Sequence, residues 1–156
     1  EGQLAAAISH ELAHQELSHA LTMWRRKVNA SRNQKFVLSF DEEWDALFLG
    51  KNGYLVYDEG MEKEADLLAT VILYKAKYDP RVMISYLQIL KKLEQSNLSS
   101  VSSMLSLHPK SSDRETWVRD QQLQLPPVKD LRLTTNSFSE IKAILKNAEM
   151  KKEKKK

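Results

Sequence analysis

The segment Ile8-Ser9-His10-Glu11-Leu12-Ala13-His14 constrains this chain more than any other stretch. It reads H-E-x-x-H within a run of alanines and leucines, which favours a helix. Residues four apart lie one above the other on a helix, so His10 and His14 can offer both imidazoles to a single metal ion. Glu11 then falls beside the metal's open position, where it can take a proton from a bound water. A fold built on this segment has to bury one helix face around the histidines and bring a third ligand from elsewhere.

Composition narrows the class. The chain has 156 residues, 42% of them hydrophobic and 29% charged, the balance of a globular domain with one core. It has no cysteine, so any metal must be held by nitrogen and oxygen. The formal charge is +3, but residues 151–156 contribute +4 (five lysines, one glutamate), leaving −1 for the rest. That tail reads as a disordered, solvated end. No nucleic-acid partner is expected, and peripheral contact of the lysines with anionic lipid is the lesser reading. No run of 18 apolar residues is present, so nothing is expected to span a membrane. Because the chain opens at Glu1 inside helix-like sequence, it reads as a fragment or processed form, with any targeting segment upstream.

Apolar spacing organises the rest. Residues 2 to about 28 read as one helix, with Leu4, Ile8, Leu12, Leu17, Leu21 and Trp24 on an apolar side that is buried together with the histidines. Residues 29–60 change character, with a candidate strand at 36–40, helical turns at 41–49 and turn chemistry at 50–53. From Met61 to about Lys77 the helical pattern returns, with Ala65, Leu68, Ala69, Ile72, Leu73 and Ala76 on one face. Asp79-Pro80 stops it and starts another helix to about Gln95, with Met83, Tyr86, Leu87 and Leu90 inward. The serine-rich stretch 97–106 leads to His108-Pro109, and Ser111 or Ser112 opens a helix through Trp117 to about Leu123. Residues 128–133 suggest a short strand. Ser137-Phe138-Ser139-Glu140 reads as a capping box before a last helix with Ile141, Ile144 and Leu145 inside. The expected class is mainly α, an α+β arrangement with few short strands around an active-site helix and a glutamate helix.

A catalytic zinc takes three protein ligands and one open position. A third histidine in H-E-x-x-H-x-x-G-x-x-H is excluded, because Leu17 and Ala20 occupy the required positions and His19 is one residue out of phase. The alternative is a carboxylate from the second long helix, which begins Glu62-Lys63-Glu64-Ala65-Asp66. Glu62 and Asp66 share a face, so one can ligate the metal while the other accepts a hydrogen bond from a ligand histidine. Glu64 points elsewhere, towards solvent.

Four boxes now stand in order: EGQLAAAISHELAHQELSH at 1–19, EKEAD at 62–66, KYDP at 77–80 and HPKSSDR at 108–114. In this order the chain resembles the gluzincin zinc metallopeptidases that include CAAX prenyl endopeptidases, HtpX and the soluble BepA-type proteases. The resemblance covers roughly residues 1 to 120. It implies a zincin-like catalytic domain, which with the chain's own pattern is bounded at 1–133, ahead of the C-terminal helix over 134–150 and the disordered lysine-rich tail over 151–156. It implies one zinc per chain held by His10, His14 and Glu62, with Glu11 as catalytic base and Asp66 as the partner of a ligand histidine. In soluble relatives the histidine–proline box lies near the cleft, so His108 is a candidate fourth ligand, gate or transition-state donor. Arg114 is expected to pair with a carboxylate of the glutamate helix, and His19 to be structural, away from the metal face. The implied activity is endopeptidase cleavage of protein or peptide substrates in extracytoplasmic, periplasmic quality control. The rival is a latent or inactive peptidase-fold module that binds or chaperones. Family catalytic domains carry an edge strand and a further helix before the active-site helix, and the chain does not include them.

Overall fold

The computed structural model describes residues 1–32, 57–95, 108, 113–127 and 129–153. The candidate elements within 33–56, the serine-rich 97–106, Pro109, Ser111, Ser112 and Val128 lie outside the described residues. The described chain is mainly α-helical: α1 (Gly2–Glu16), α2 (His19–Arg32), α3 (Glu59–Lys75), α4 (Val82–Gln95), α5 (Arg114–Gln124) and α6 (Asn136–Glu153).

At the centre, α1 lies along α3 in the opposite sense, with His14 facing Glu62, His10 facing Asp66, and Glu1 accepting a hydrogen bond from the Tyr78 hydroxyl. Their contact is made of small residues. Ala6 and Ala13 of α1 and Ala65 and Ala69 of α3 are fully buried. Small side chains bring two helix axes close, which is what lets side chains from both helices meet at one point. Around this seam Leu73, Val82, Met83, Ile84, Leu87 and Val118 complete the core, drawing α4 and α5 onto the pair. Each of the larger side chains contributes about 1.5–3 kcal/mol by burial.

The expected single helix over 2–28 is two helices. Ser18 adopts a left-handed φ of 54°, and its N–H and that of Leu17 close on the carbonyls of Gln15 and Ala13. This terminates α1, and α2 sets off in a new direction from His19. The apolar stripe is also not the buried one. Leu4, Ile8 and Leu12 are each about half exposed (53%, 52% and 52%), and Leu17, Leu21 and Trp24 also face outward. The buried face is Gly2, Ala6, Ser9, His10, Ala13 and His14.

The other helix boundaries shift by a residue or two for local reasons. Asp58 caps α3 by accepting from the Met61 N–H at 2.8 Å, and Arg26 of α2 holds the other carboxylate oxygen. Ala76, expected inside, is the exposed C-cap of that helix. Asp79 is buried and accepts from the Arg81 backbone and guanidinium, so Pro80 and Arg81 form a turn before α4 starts at Val82. The expected strand at 128–133 reduces to one parallel bridge, Tyr78 to Arg132, closed by two backbone hydrogen bonds. Thr135, not Ser137, caps α6 by accepting from the Phe138 N–H. Helix α6 runs three residues into the lysine-rich stretch, to Glu153, and its Ile141, Ile144 and Leu145 are exposed rather than inside.

Gly2 marks the tightest approach. A β-carbon there would meet Val82 Cγ1 at 2.6 Å and the Leu133 carbonyl at 3.1 Å. Val82 is buried and β-branched, so it has little rotamer freedom to yield. Gly2→Ala should therefore lower stability by about 1–3 kcal/mol, read as a drop in thermal midpoint. Combined with Val82→Ala the two losses should be less than additive; full additivity would show that this contact is not the cause.

Candidate metal centre

The α1–α3 seam opens into a cluster of four side chains. His10 Nε2 lies 3.1 Å from His14 Nε2, 3.4 Å from His108 Nδ1 and 3.5 Å from Glu62 Oε2. Glu62 Oε1 lies 3.3 Å from His14 Nε2 and 2.8 Å from His108 Nδ1. One atom from each of the four residues falls within 4.8 Å of the other three. His10, His14 and Glu62 are buried, and His108 is nearly so.

This set fits a metal ion. A tetrahedral ion with bonds of about 2.0–2.1 Å holds its ligand atoms about 3.3–3.4 Å apart, close to the spacing found here. The proton inventory agrees. His10 Nδ1 sits 2.9 Å from Asp66 Oδ1, off the line of a good hydrogen bond but close enough to hold a proton on that side. In the neutral imidazole that a metal requires, its Nε2 is then the lone-pair atom, directed into the cluster. Glu62 Oε2 is fully buried and accepts no well-aligned hydrogen bond, although the Arg114 guanidinium is 2.9 Å away. Converging lone pairs repel one another unless a cation lies between them.

Charge around the cluster is tightly organised. Burial disfavours ionised Glu62, but the adjoining His10, His108 and His14 imidazoles, with the Arg114 charge, outweigh it and hold its carboxyl far below the usual range. Asp66 is likewise opposed by burial, yet His10 and Arg114 keep its carboxyl below its ordinary value. Burial pulls His10 down, while Asp66 and Glu62 outweigh it and raise the imidazole to about 9. A metal ion must displace that proton to bind. Burial lowers His14 despite Glu62, and the neighbouring His10 and His108 add to the effect.

The expected site residues assemble as follows. His10, His14, Glu62 and His108 meet, and Asp66 stands behind His10. Glu11 is exposed at the mouth, with Oε1 3.5 Å from His108 Nε2. Arg114 is buried and pairs with the two buried carboxylates of α3, Glu62 and Asp66, donating to Asp66 through Nε and Nη2 at 2.8 Å each. Trp117 adds a third donor to Asp66, through Nε1 at 3.2 Å.

Sequence reasoning missed two neighbours. Tyr57 stacks on His14, with ring centroids 3.9 Å apart, and no periodic signal marks a single aromatic in a loop. His19, expected away from the metal face, is buried with its Nδ1 2.9 Å from His14 Nδ1. The turn at Ser18 brings it there.

Arg114→Leu would leave two buried carboxylates without their guanidinium and should destabilise the metal-free protein by about 3–5 kcal/mol. A carboxyl depressed by folding contributes stability that is present above its unfolded pKa and lost as pH falls through its folded value. With chelator present, the parent's thermal midpoint should fall as the pH is lowered from 5 towards 2, and Arg114→Leu should flatten that dependence. Equal slopes in the two proteins would remove Arg114 as the cause.

Residues 1–121 match the model of the family described as Peptidase family M48. The match takes in α1 to α4, most of α5 and every residue of the cluster, and stops before α6.

Proposed function

The chain belongs to peptidase family M48, a family of metallopeptidases, and from that premise we propose that it is a zinc-dependent endopeptidase acting on protein or peptide substrates. The observation that carries this reading is the convergence of His10, His14 and Glu62 with Glu11 at the mouth. Two imidazoles and one carboxylate form a nitrogen–oxygen set of the kind that suits zinc. When bound, zinc supplies a Lewis acid that lowers the pKa of water and polarises the scissile carbonyl.

The remaining work falls to side chains. Glu11 takes the proton of the attacking water and delivers it to the departing amine. Asp66 keeps the proton of His10 on Nδ1, so that its Nε2 stays a lone pair. Arg114 neutralises part of the charge of Glu62 and Asp66. A role in extracytoplasmic quality control is part of the proposal and rests on the family resemblance alone.

Two measurements test the centre. One zinc per chain is expected by elemental analysis, and His14→Ala and Glu62→Gln should each lose tight binding. Full occupancy in Glu62→Gln would remove it from the ligand set. Glu11→Gln should keep zinc and fold while turnover on an unfolded protein substrate falls at least about a hundredfold. Undiminished turnover would overturn its role as base.

A second reading is favoured by one contact. His108 Nδ1 already lies among the ligand atoms, 2.8 Å from Glu62 and 3.4 Å from His10 Nε2. On this reading its imidazole would take the metal's fourth position in place of water and substrate, which would make the arrangement latent and His108 a gate. His108→Ala should then raise peptidase activity without removing zinc. A fall would mark His108 as a transition-state donor, and no change in either quantity would leave it as packing.

A further inference from the structure

We propose that His19 and Glu64 form a positioning relay that fixes the tautomer of His14 and so keeps its Nε2 lone pair aimed at the metal. The inference rests on the zinc reading above and adds residues that the ligand set does not include.

The contacts run in a line. His14 Nδ1 is 2.9 Å from His19 Nδ1, and His19 Nε2 is 3.2 Å from Glu64 Oε2. Both imidazoles are buried, whereas Glu64 is 66% exposed at the outer end. An ionised carboxylate only accepts hydrogen bonds, so His19 must present Nε2–H to Glu64. A neutral imidazole with its proton on Nε2 has a lone pair on Nδ1. That lone pair must accept from His14, which places the His14 proton on Nδ1. The His14 Nε2 is then bare and faces His10, Glu62 and the metal position.

Reversing the chain shows what Glu64 does. If His19 donated from Nδ1 to His14, then His14 would carry its proton on Nε2, pointing into the ligand set. The His19 Nε2 lone pair would then face a carboxylate oxygen, and two acceptors would oppose each other. Glu64 thus sets the polarity of the whole line from the surface. His10 and His14 are oriented by different means: a buried carboxylate behind the first, a histidine and an exposed carboxylate behind the second.

The geometry depends on the break between α1 and α2. On an uninterrupted helix five residues correspond to about 500°, so His19 would sit about 140° away from His14. The left-handed Ser18 turns the chain so that α2 delivers His19 back onto His14.

The experiment measures zinc dissociation constants by competition with a chromophoric chelator, using the full chain, at equal folded fraction by circular dichroism. His19→Phe keeps a ring but offers no acceptor, and zinc binding should weaken about 10–100-fold. His19→Gln offers an amide oxygen to the His14 Nδ1–H and should recover most of the loss. Glu64→Leu should weaken binding at least about threefold, a fraction of the usual outer-partner effect because His19 itself remains. A merely structural role would lower the metal-free thermal midpoint of His19→Phe and leave its zinc constant unchanged, and that result overturns the relay. Should His19→Phe fail to fold, Glu64→Leu decides: as a surface change it leaves the core intact, and a constant within twofold of the parent overturns the proposal. The parent and Glu62→Gln are measured alongside. If the parent binds no zinc the metal reading falls, whereas a parent that binds beside unaffected variants sinks only the relay.

Discussion

Two carboxylates one turn apart on α3, Glu62 and Asp66, have no exposure to water, and the rest of the structure makes that burial tolerable. An unpaired buried carboxylate would take up a proton rather than stay charged. Arg114 answers one negative charge, which leaves the trio at −1. The balance is met from α1, where His10 and His14 bring nitrogen atoms to the same point. Either His10 carries a proton, as its raised pKa of about 9 indicates for the metal-free protein, or a divalent cation replaces it. The helix seam follows from this requirement. Only alanine-sized residues on both helices let ligands from α1 and α3 come within bonding distance of one ion.

The metal centre was legible because its logic is local. His10 and His14, and Glu62 and Asp66, are each i,i+4 pairs, and helical geometry alone puts each pair on one face. His108 and Arg114 came only through resemblance, since nothing in their own neighbourhood marks them as cluster residues. The α1 face was misread for a physical reason. Leu4, Ile8 and Leu12 form the stronger apolar stripe, but periodicity names a stripe without saying what it meets. Burial here went to the face whose alanines allow close packing and whose histidines have partners. Ser18 was illegible for another reason: a serine in left-handed conformation has no distinctive spacing, and missing it hid the place of His19. The cap of α6 was misread because Ser137 fits a capping box, whereas the residue held in place is Thr135, whose backbone N–H and hydroxyl donate to Glu1.

The centre is held from both sides in unequal ways. Behind His10 stand Asp66 and Arg114, both buried, with the partly buried Trp117 closing the network. Behind His14 stand His19 and Tyr57, with Glu64 at the surface. Changes in salt or surface charge therefore reach the second histidine more readily than the first.

Helix α1 carries both halves of this asymmetry on a single rod of about 22 Å. Its inner side holds His10 and His14, and its outer side shows Leu4, Ile8 and Leu12 to the surroundings. His10 and His14 therefore share one rigid support. Any displacement of α1 against α3 carries both imidazoles together past Glu62 and Asp66, while the outer side chains touch none of the four.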